Sequence, residues 1–577
     1  MRQVDLVIRG GMIVDGTGAA PVTADIAIDG GLIVEVGQVS ATGREEIDAK
    51  GLMVTPGWVD IHTHYDGQMT WDARMTPSST LGATTIVAGN CGVGFAPARP
   101  EDRDTLIRLM EGVEDIPGAA LHEGLSWRWE SFGEYLDAVE ALPHDIDVAV
   151  QVPHGALRVY VMGERGARRA PATEAEIGQM RELVRDAVTA GAIGFSTTRT
   201  MIHRTADGDL TPTLGAARAE MEGIARGLRD AGSGVIQVAS DFTDMDGEFA
   251  LMRDLTEISG QMLSFSLVQA DVAPDRWREL LDRLEQATAD GINIKAQVAG
   301  RPVGLMLGLQ GSAHPFISRP SFQDIIDKPL AEKVAAMRDP DFRARLIAEK
   351  PLKGHPFITS LAGAHHKMYA LGDPPNYEPD PRDSLAAKAG ALGVNPDELV
   401  YDAMLADEGR GFLYFPMQNY FEGSLDNVRT MLAHPDTLSG LSDGGAHVGA
   451  ICDVSLPTYM LTHWCRDRPR DQLDLAQVVR AQTKDTAEAV GLLDRGVLKP
   501  GYRADVNVID FQRLRLRPPH MVYDLPTGAR RLMQEADGYV ATIKSGEVIY
   551  RNGEATGALP GKLVRGRTPS PERLAAE

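Results

Sequence analysis

The 577-residue chain reads as an α/β protein, a (β/α)8 TIM-like barrel carrying a small β-sandwich built from both chain ends. Three observations predict this. Short apolar runs, each followed by a polar loop and a helix-like stretch, recur eight times through the middle of the chain, the alternation of a parallel sheet. The first fifty residues instead alternate apolar and polar positions between tight turns. The same alternating pattern returns near the C-terminus.

The sandwich strands fall at residues 6–11, 26–31 and 32–37, with their counterparts at 504–510 and 540–550. Residues 1–54 and 500–577 therefore form one β-sandwich domain, and 55–499 the barrel. The eight barrel strands are expected at 58–61, 84–88, 148–152, 192–196, 235–239, 263–268, 292–297 and 438–441. Stretches 174–190 and 275–289 carry helical periodicity between them. The gap between strands seven and eight far exceeds one crossover and is rich in Pro, Gly and His, so residues 301–435 are expected to form an inserted subdomain or lid. The tail from Gly557 is expected to wrap a neighbouring subunit, leaving a homo-oligomer open.

Composition narrows the function. With 81 acidic against 58 basic residues the formal charge is −23, which excludes a protein drawn to nucleic-acid phosphates. Hydrophobic residues at 43% and charged residues at 24% are ordinary globular usage. No apolar run resembles a signal peptide or a membrane span, so a cytoplasmic protein without membrane association is expected. Three cysteines, Cys91, Cys452 and Cys465, are too few for a disulfide framework. The partner left by these exclusions is a small molecule.

The chemistry concentrates at strand ends. His62 and His64 follow the first barrel strand two residues apart, so alternation along an extended chain turns both imidazoles the same way. Alone, such a pair is a weak signal; at the C-terminal end of a barrel strand, where catalytic groups sit, it reads as a metal site. Asp443, in Leu441-Ser442-Asp443-Gly444-Gly445, ends the last strand, which neighbours the first in a closed barrel. The bland alternative is an Asp capping a turn. Arg199, ending strand four, offers a planar fork for a substrate carboxylate, against the alternative of a surface or capping arginine. His203, His365, His366 and His447 fall on mouth-side or lid segments where a structural histidine is the usual finding, and His447 is assigned to substrate binding.

Residues 6–16, the run Thr55-Pro56-Gly57-Trp58-Val59-Asp60-Ile61-His62-Thr63-His64-Tyr65-Asp66, Ala88-Gly89-Asn90-Cys91-Gly92 and Ser442-Asp443-Gly444 together resemble the amidohydrolase superfamily, in particular its N-acyl-D-amino-acid deacylases (D-aminoacylases). The return at 494–501 and Ala504-Asp505 resembles that family's re-entry into its small β-domain, so the likeness spans nearly the whole chain. It implies His62, His64 and Cys91 as zinc ligands and Asp443 as both metal neighbour and general base. It also implies His154 as a substrate-binding or oxyanion-stabilising group, although a structural loop histidine fits that position too. The expected reaction is hydrolysis of a C–N amide bond of an N-acyl amino acid or related small amide, by attack of zinc-bound hydroxide with Asp443 as base and then acid.

One departure stands out. The family's metal histidines at the ends of strands five and six are missing, for those strands end in Ser240-Asp241 and Gln269-Ala270-Asp271. Oxygen ligands from these residues would be needed for a second ion, and one Zn2+ per subunit is the simpler expectation. Two other readings share the motifs: a cyclic amide, imide or ester hydrolase, and a metal-poor binding protein without catalysis.

Overall fold

The computed structural model describes residues 2–352 and 356–574. Residues 353–355, inside the expected insertion, and 575–577, at the end of the expected tail, lie outside the described residues. Eight parallel strands form one curled sheet in chain order: β1 (Trp58–Asp60), β2 (Ala83–Ala88), β3 (Asp147–Pro153), β4 (Gly194–Arg199), β5 (Val235–Ser240), β6 (Leu263–Leu267), β7 (Ile294–Val298) and β8 (Thr437–Ser439). All eight expected strands are present. β2 and β3 are buried at every position, as strands covered on both faces must be. The sheet's two edges meet just beyond the strand ends, where the Asp443 N–H donates to the His62 carbonyl at 3.1 Å and the His64 N–H to the Gly444 carbonyl at 2.7 Å. Closure and candidate ligands thus coincide.

The helices follow their sequence signals. Glu174–Ala190 begins at a capping box in which Thr173 and Glu176 satisfy each other's backbone N–H groups. Arg276–Ala289 buries Trp277, Leu280, Leu281 and Leu284 along one face against the barrel.

Both chain ends enter a single nine-stranded sheet, joined where Met53–Pro56 pairs antiparallel with Val506–Ile509. Ile8, Ile26, Ile28, Val54, Val506, Val508 and Ile543 share its core. The C-terminal part departs from the expected domain, however. The hairpin His520–Leu525 with Ala529–Met533 leaves that sheet and reaches the barrel mouth, where the Leu532 N–H donates to the Val448 carbonyl at 2.6 Å. The tail, expected to wrap a neighbour, runs along the floor of its own barrel. There Val148 N–H meets the Lys562 carbonyl at 3.0 Å and Gly566 N–H the Gly191 carbonyl at 2.9 Å.

Between β7 and β8 the chain builds a three-stranded sheet (Gly304–Leu307, Tyr369–Ala370, Leu413–Pro416) and helices that include Leu330–Met337 and Pro396–Gly409. Phe316, Phe322, Met337, Tyr401 and Leu413 give this segment a core of its own. Asp426–Leu432 already packs on β7 and β8 as an ordinary crossover helix.

Candidate metal centre at the barrel mouth

β1 delivers His62 and His64 fully buried, 1% and 2% exposed. His62 Nδ1 is 2.7 Å from Gln297 Oε1 on β7, and Gln297 Nε2 donates to Ser264 Oγ on β6 at 3.0 Å. With that amide nitrogen committed to Ser264, the amide oxygen accepts the Nδ1–H, and His62 presents a bare Nε2 to the barrel axis. Cys91 Sγ and Asp443 Oδ1 each lie 3.4 Å from this Nε2, and His64 Nε2 is 3.8 Å from the same Asp443 oxygen. The ligand atoms of His62, His64 and Cys91 all fall within 4.8 Å of one another, a possible metal site. Three donors, two imidazoles and one thiol, converge on one point, and the Asp443 carboxylate borders both imidazoles.

The backbone is bent to achieve this. Cys91, Leu441, Asp443 and His447 all occupy the left-handed region, with φ of 54°, 60°, 49° and 48°. Such conformations cost non-glycine residues energy and gather where surrounding structure enforces them. The Cys91 N–H is held at 2.9 Å by Gln237 Oε1 from β5. Gly445, at φ +85°, lets the last loop press on the first strand, since a Cβ there would sit 3.1 Å from the His64 carbonyl carbon.

The electrostatics of the cluster suit a cation. Burial lowers His62 and His447 to about 4 and His203 to about 3, and holds His64 well below its ordinary value, so burial favours the neutral imidazole at all four. Burial also lifts Asp60, Asp66 and Asp443 to about 7. Glu114 and Cys91 are raised well above their ordinary values by burial and then by neighbouring carboxylates. Both oxygens of Glu114, Oδ2 of Asp66 and Nδ1 of His64 are buried without a hydrogen-bond partner. Acids that repel one another, neutral histidines and a thiol are the donor set that zinc takes up, so these residues fit a divalent cation.

The other expected site residues separate into two groups. His447 stays at the mouth, its side chain 23% exposed and its Nε2 3.5 Å from Glu114 Oε2. His203 turns inward, with Nδ1 2.9 Å from Thr198 Oγ1. His154 is instead fully buried with both ring nitrogens occupied, by Thr197 Oγ1 at 2.8 Å and Glu220 Oε1 at 2.9 Å, which corrects the expectation that it meets substrate. Arg199 spends its fork on Glu248, with two contacts of 2.7 Å, which corrects the expected carboxylate clamp. Ser240 and Asp241 bond Glu248 and Thr200, Gln269 bonds Glu422, and Asp271 pairs with Lys367, so none turns to the centre. His365 pairs with Asp397 inside the insertion.

The amidohydrolase family model matches residues 45–550. The chain belongs to the amidohydrolase family. As an amidohydrolase it is a hydrolase of carbon–nitrogen bonds other than peptide bonds. It is 29% identical over 567 residues to the D-aminoacylase of Alcaligenes xylosoxydans xylosoxydans, covering 97% of each chain. Against the N-acyl-D-aspartate deacylase of the same organism identity is 28% over 575 residues, covering 97% of this amidohydrolase and 95% of the relative. Among solved structures, D-aminoacylase superposes with a TM-score of 0.64 at 24% identity, covering 97% of this chain and 100% of that one. The N-acyl-D-glutamate deacylase of Bordetella bronchiseptica, complexed with zinc and a phosphonate inhibitor, superposes at 0.65 with 22% identity, covering 98% and 100%. These structural likenesses establish the fold.

Three residues that shape this amidohydrolase's centre escaped the sequence reading: Gln237, Gln297 and Glu114. The glutamines had a usable signal, a lone amide at alternate positions of otherwise apolar barrel strands. Glu114, at the C-terminal end of helix Arg103–Glu114, had none. A cavity of about 30 Å3 adjoins Asp443, walled by Trp71, Val448, Ile451, Leu525 and Leu532. A larger cavity, about 970 Å3, opens between residues 374–381, 459–470 and 512–516 and touches none of the candidate ligands. Among the described residues no helix is long and apolar enough to cross a membrane.

Proposed function

We propose that this amidohydrolase cleaves the amide bond of an N-acyl amino acid or related small amide, using one zinc ion held by His62, His64, Cys91 and Asp443. The observation that carries the reading is the convergence of His62, His64 and Cys91 on one point, with the Asp443 carboxylate against both imidazoles. A zinc ion in this place polarises water and the scissile carbonyl, supplying Lewis acidity that no side chain offers.

Asp443 takes the proton of the attacking water and returns it to the leaving nitrogen. Its side chain is 17% exposed while touching His62, so it borders both the ligands and the mouth. Gln297 fixes the His62 tautomer, and Gln237 seats the Cys91 loop. His447, on the rim four residues past Asp443, faces substrate. One ion per subunit follows from the commitments of Ser240, Asp241, Gln269 and Asp271 elsewhere. D-aminoacylase, described as having a binuclear centre activated by one metal and attenuated by a second, supports a one-metal reading.

Elemental analysis of protein purified without added metal is expected to find about one zinc per chain. Asp443→Asn should retain the ion and lose about 10^2- to 10^4-fold in turnover of N-acyl-D-amino acids. A metal-free protein, together with full amidase activity in Asp443→Asn, would defeat the proposal. Cyclic imides in the same assay separate the hydantoinase-like alternative.

A further inference from the structure

We infer that Glu114 is a positioning residue that holds a metal ligand, His64, and a substrate-facing residue, His447, with one carboxylate. The inference rests on the metal-site reading above and extends it to a residue outside the ligand set. Glu114 Oε1 lies 3.3 Å from His64 Nδ1, and Oε2 lies 3.5 Å from His447 Nε2. The carboxylate is 1% exposed, and neither of its oxygens makes a hydrogen bond. His64 Nδ1 likewise makes none. The two unpartnered groups face one another at 3.3 Å, so a small turn of the ring joins them.

The geometry distinguishes the two ends of the His64 ring. Nε2 faces Asp443 and the ligand cluster, whereas Nδ1 faces away, toward Glu114. A ligating imidazole whose Nδ1–H donates to a carboxylate is locked in the tautomer that leaves Nε2 free, and its basicity rises. Gln297 performs this service for His62 through a neutral amide; Glu114, 3.3 Å from His64 Nδ1, is the carboxylate placed to perform it for His64. Glu114 then does something Gln297 does not. Its second oxygen reaches His447 on the loop that follows β8, and its backbone carbonyl accepts the His447 N–H. Asp115, next in sequence and left-handed at φ 53°, adds an acceptor for the Gly449 N–H at 3.1 Å and for Ser312 Oγ at 3.0 Å. The end of helix Arg103–Glu114 is thus a seat for residues 447–449, and Glu114 links that seat to the β1 ligand.

Glu114→Gln tests the idea with little change in shape. An amide has one acceptor oxygen, so it can serve His64 or His447 but not both. Metal-free protein titrated with Zn2+ alone, by competition with a chromophoric chelator, should show zinc affinity about 10- to 100-fold weaker in Glu114→Gln than in wild type. Thermal melting of the metal-free forms should coincide, which shows that the fold is intact. At saturating zinc the variant should keep a lowered kcat, because His447 has lost its anchor. His447→Gln should change kcat or KM while leaving zinc affinity as in wild type. Zinc affinity in Glu114→Gln within about twofold of wild type would overturn the inference while sparing the metal site. A fall in stoichiometry from two ions to one would overturn it as well, by making Glu114 a ligand. A wild-type protein that binds no zinc would sink both this inference and the reading on which it rests.

Discussion

Two clusters of buried charge occupy the two ends of one barrel, and they are built on opposite principles. At the floor, Asp147 Oδ2 meets Arg495 at 2.7 Å and Lys544 at 2.8 Å, while its other oxygen accepts the Lys562 N–H at 2.9 Å. Lys544 also reaches Asp505, and Arg495 reaches Asp494 and Thr85. No polar side-chain atom of these residues is left without a partner. At the mouth, carboxylates, a thiol and imidazoles crowd together with several atoms unpartnered and the backbone repeatedly left-handed. A buried network that balances its own charge holds a fold; one that leaves its charge unbalanced is prepared for something that arrives later.

The largest expected effect that separates the two ends is on stability. Lys544→Met strips Asp147 and Asp505 of a shared counter-charge and should cost about 3–5 kcal/mol, read by denaturant unfolding, with kcat/KM per folded molecule unchanged. At the mouth the reverse is expected of the metal-free protein, since Asp443→Asn removes one of several buried acids that repel one another. A Lys544→Met protein of normal stability would erase the contrast.

Acid sensitivity should come next. Burial pushes Asp147 and Asp494 up, but Lys544 and Arg495 outweigh it at Asp147, and Arg495 and Arg503 outweigh it at Asp494. Asp147 is held well below the usual carboxylate range and Asp494 at about 2. Groups with depressed values stabilise the protein above their unfolded value and lose that contribution as pH falls through the folded one. Melting temperature should therefore drop as pH falls from about 4 toward 2, and the slope should flatten in Lys544→Met. An unchanged slope would mean that the floor network does not govern acid unfolding. The smallest effect is expected at Arg199, whose fork is committed to Glu248: Arg199→Met should leave KM for carboxylate-bearing substrates within about twofold. A large rise in KM would return the clamp to substrate.

How much of this could be read from residues alone depends on the range of the signal. The barrel strands were legible because burial on both faces writes continuous apolar runs into the chain, and His62, His64 and Asp443 because a strand's C-terminal end is a definable address. Cys91 was legible through resemblance. His154 and Arg199 were misassigned because their partners, Glu220 and Glu248, lie 66 and 49 residues away, where no local pattern reports the pairing. Glu114 was invisible for the same reason. The path of the C-terminal hairpin was missed because alternating residues identify a strand but not the sheet it joins.

That path bears on the order in which the molecule can be made. Residues 520–533 brace the loop that carries Asp443 and His447, and residues 561–568 girdle the barrel floor beneath β3. During synthesis, then, His62 and His64 emerge early but wait for nearly the whole chain before their surroundings are complete. The loop that carries Asp443 and His447 therefore gains its brace only from residues that lie more than seventy positions downstream.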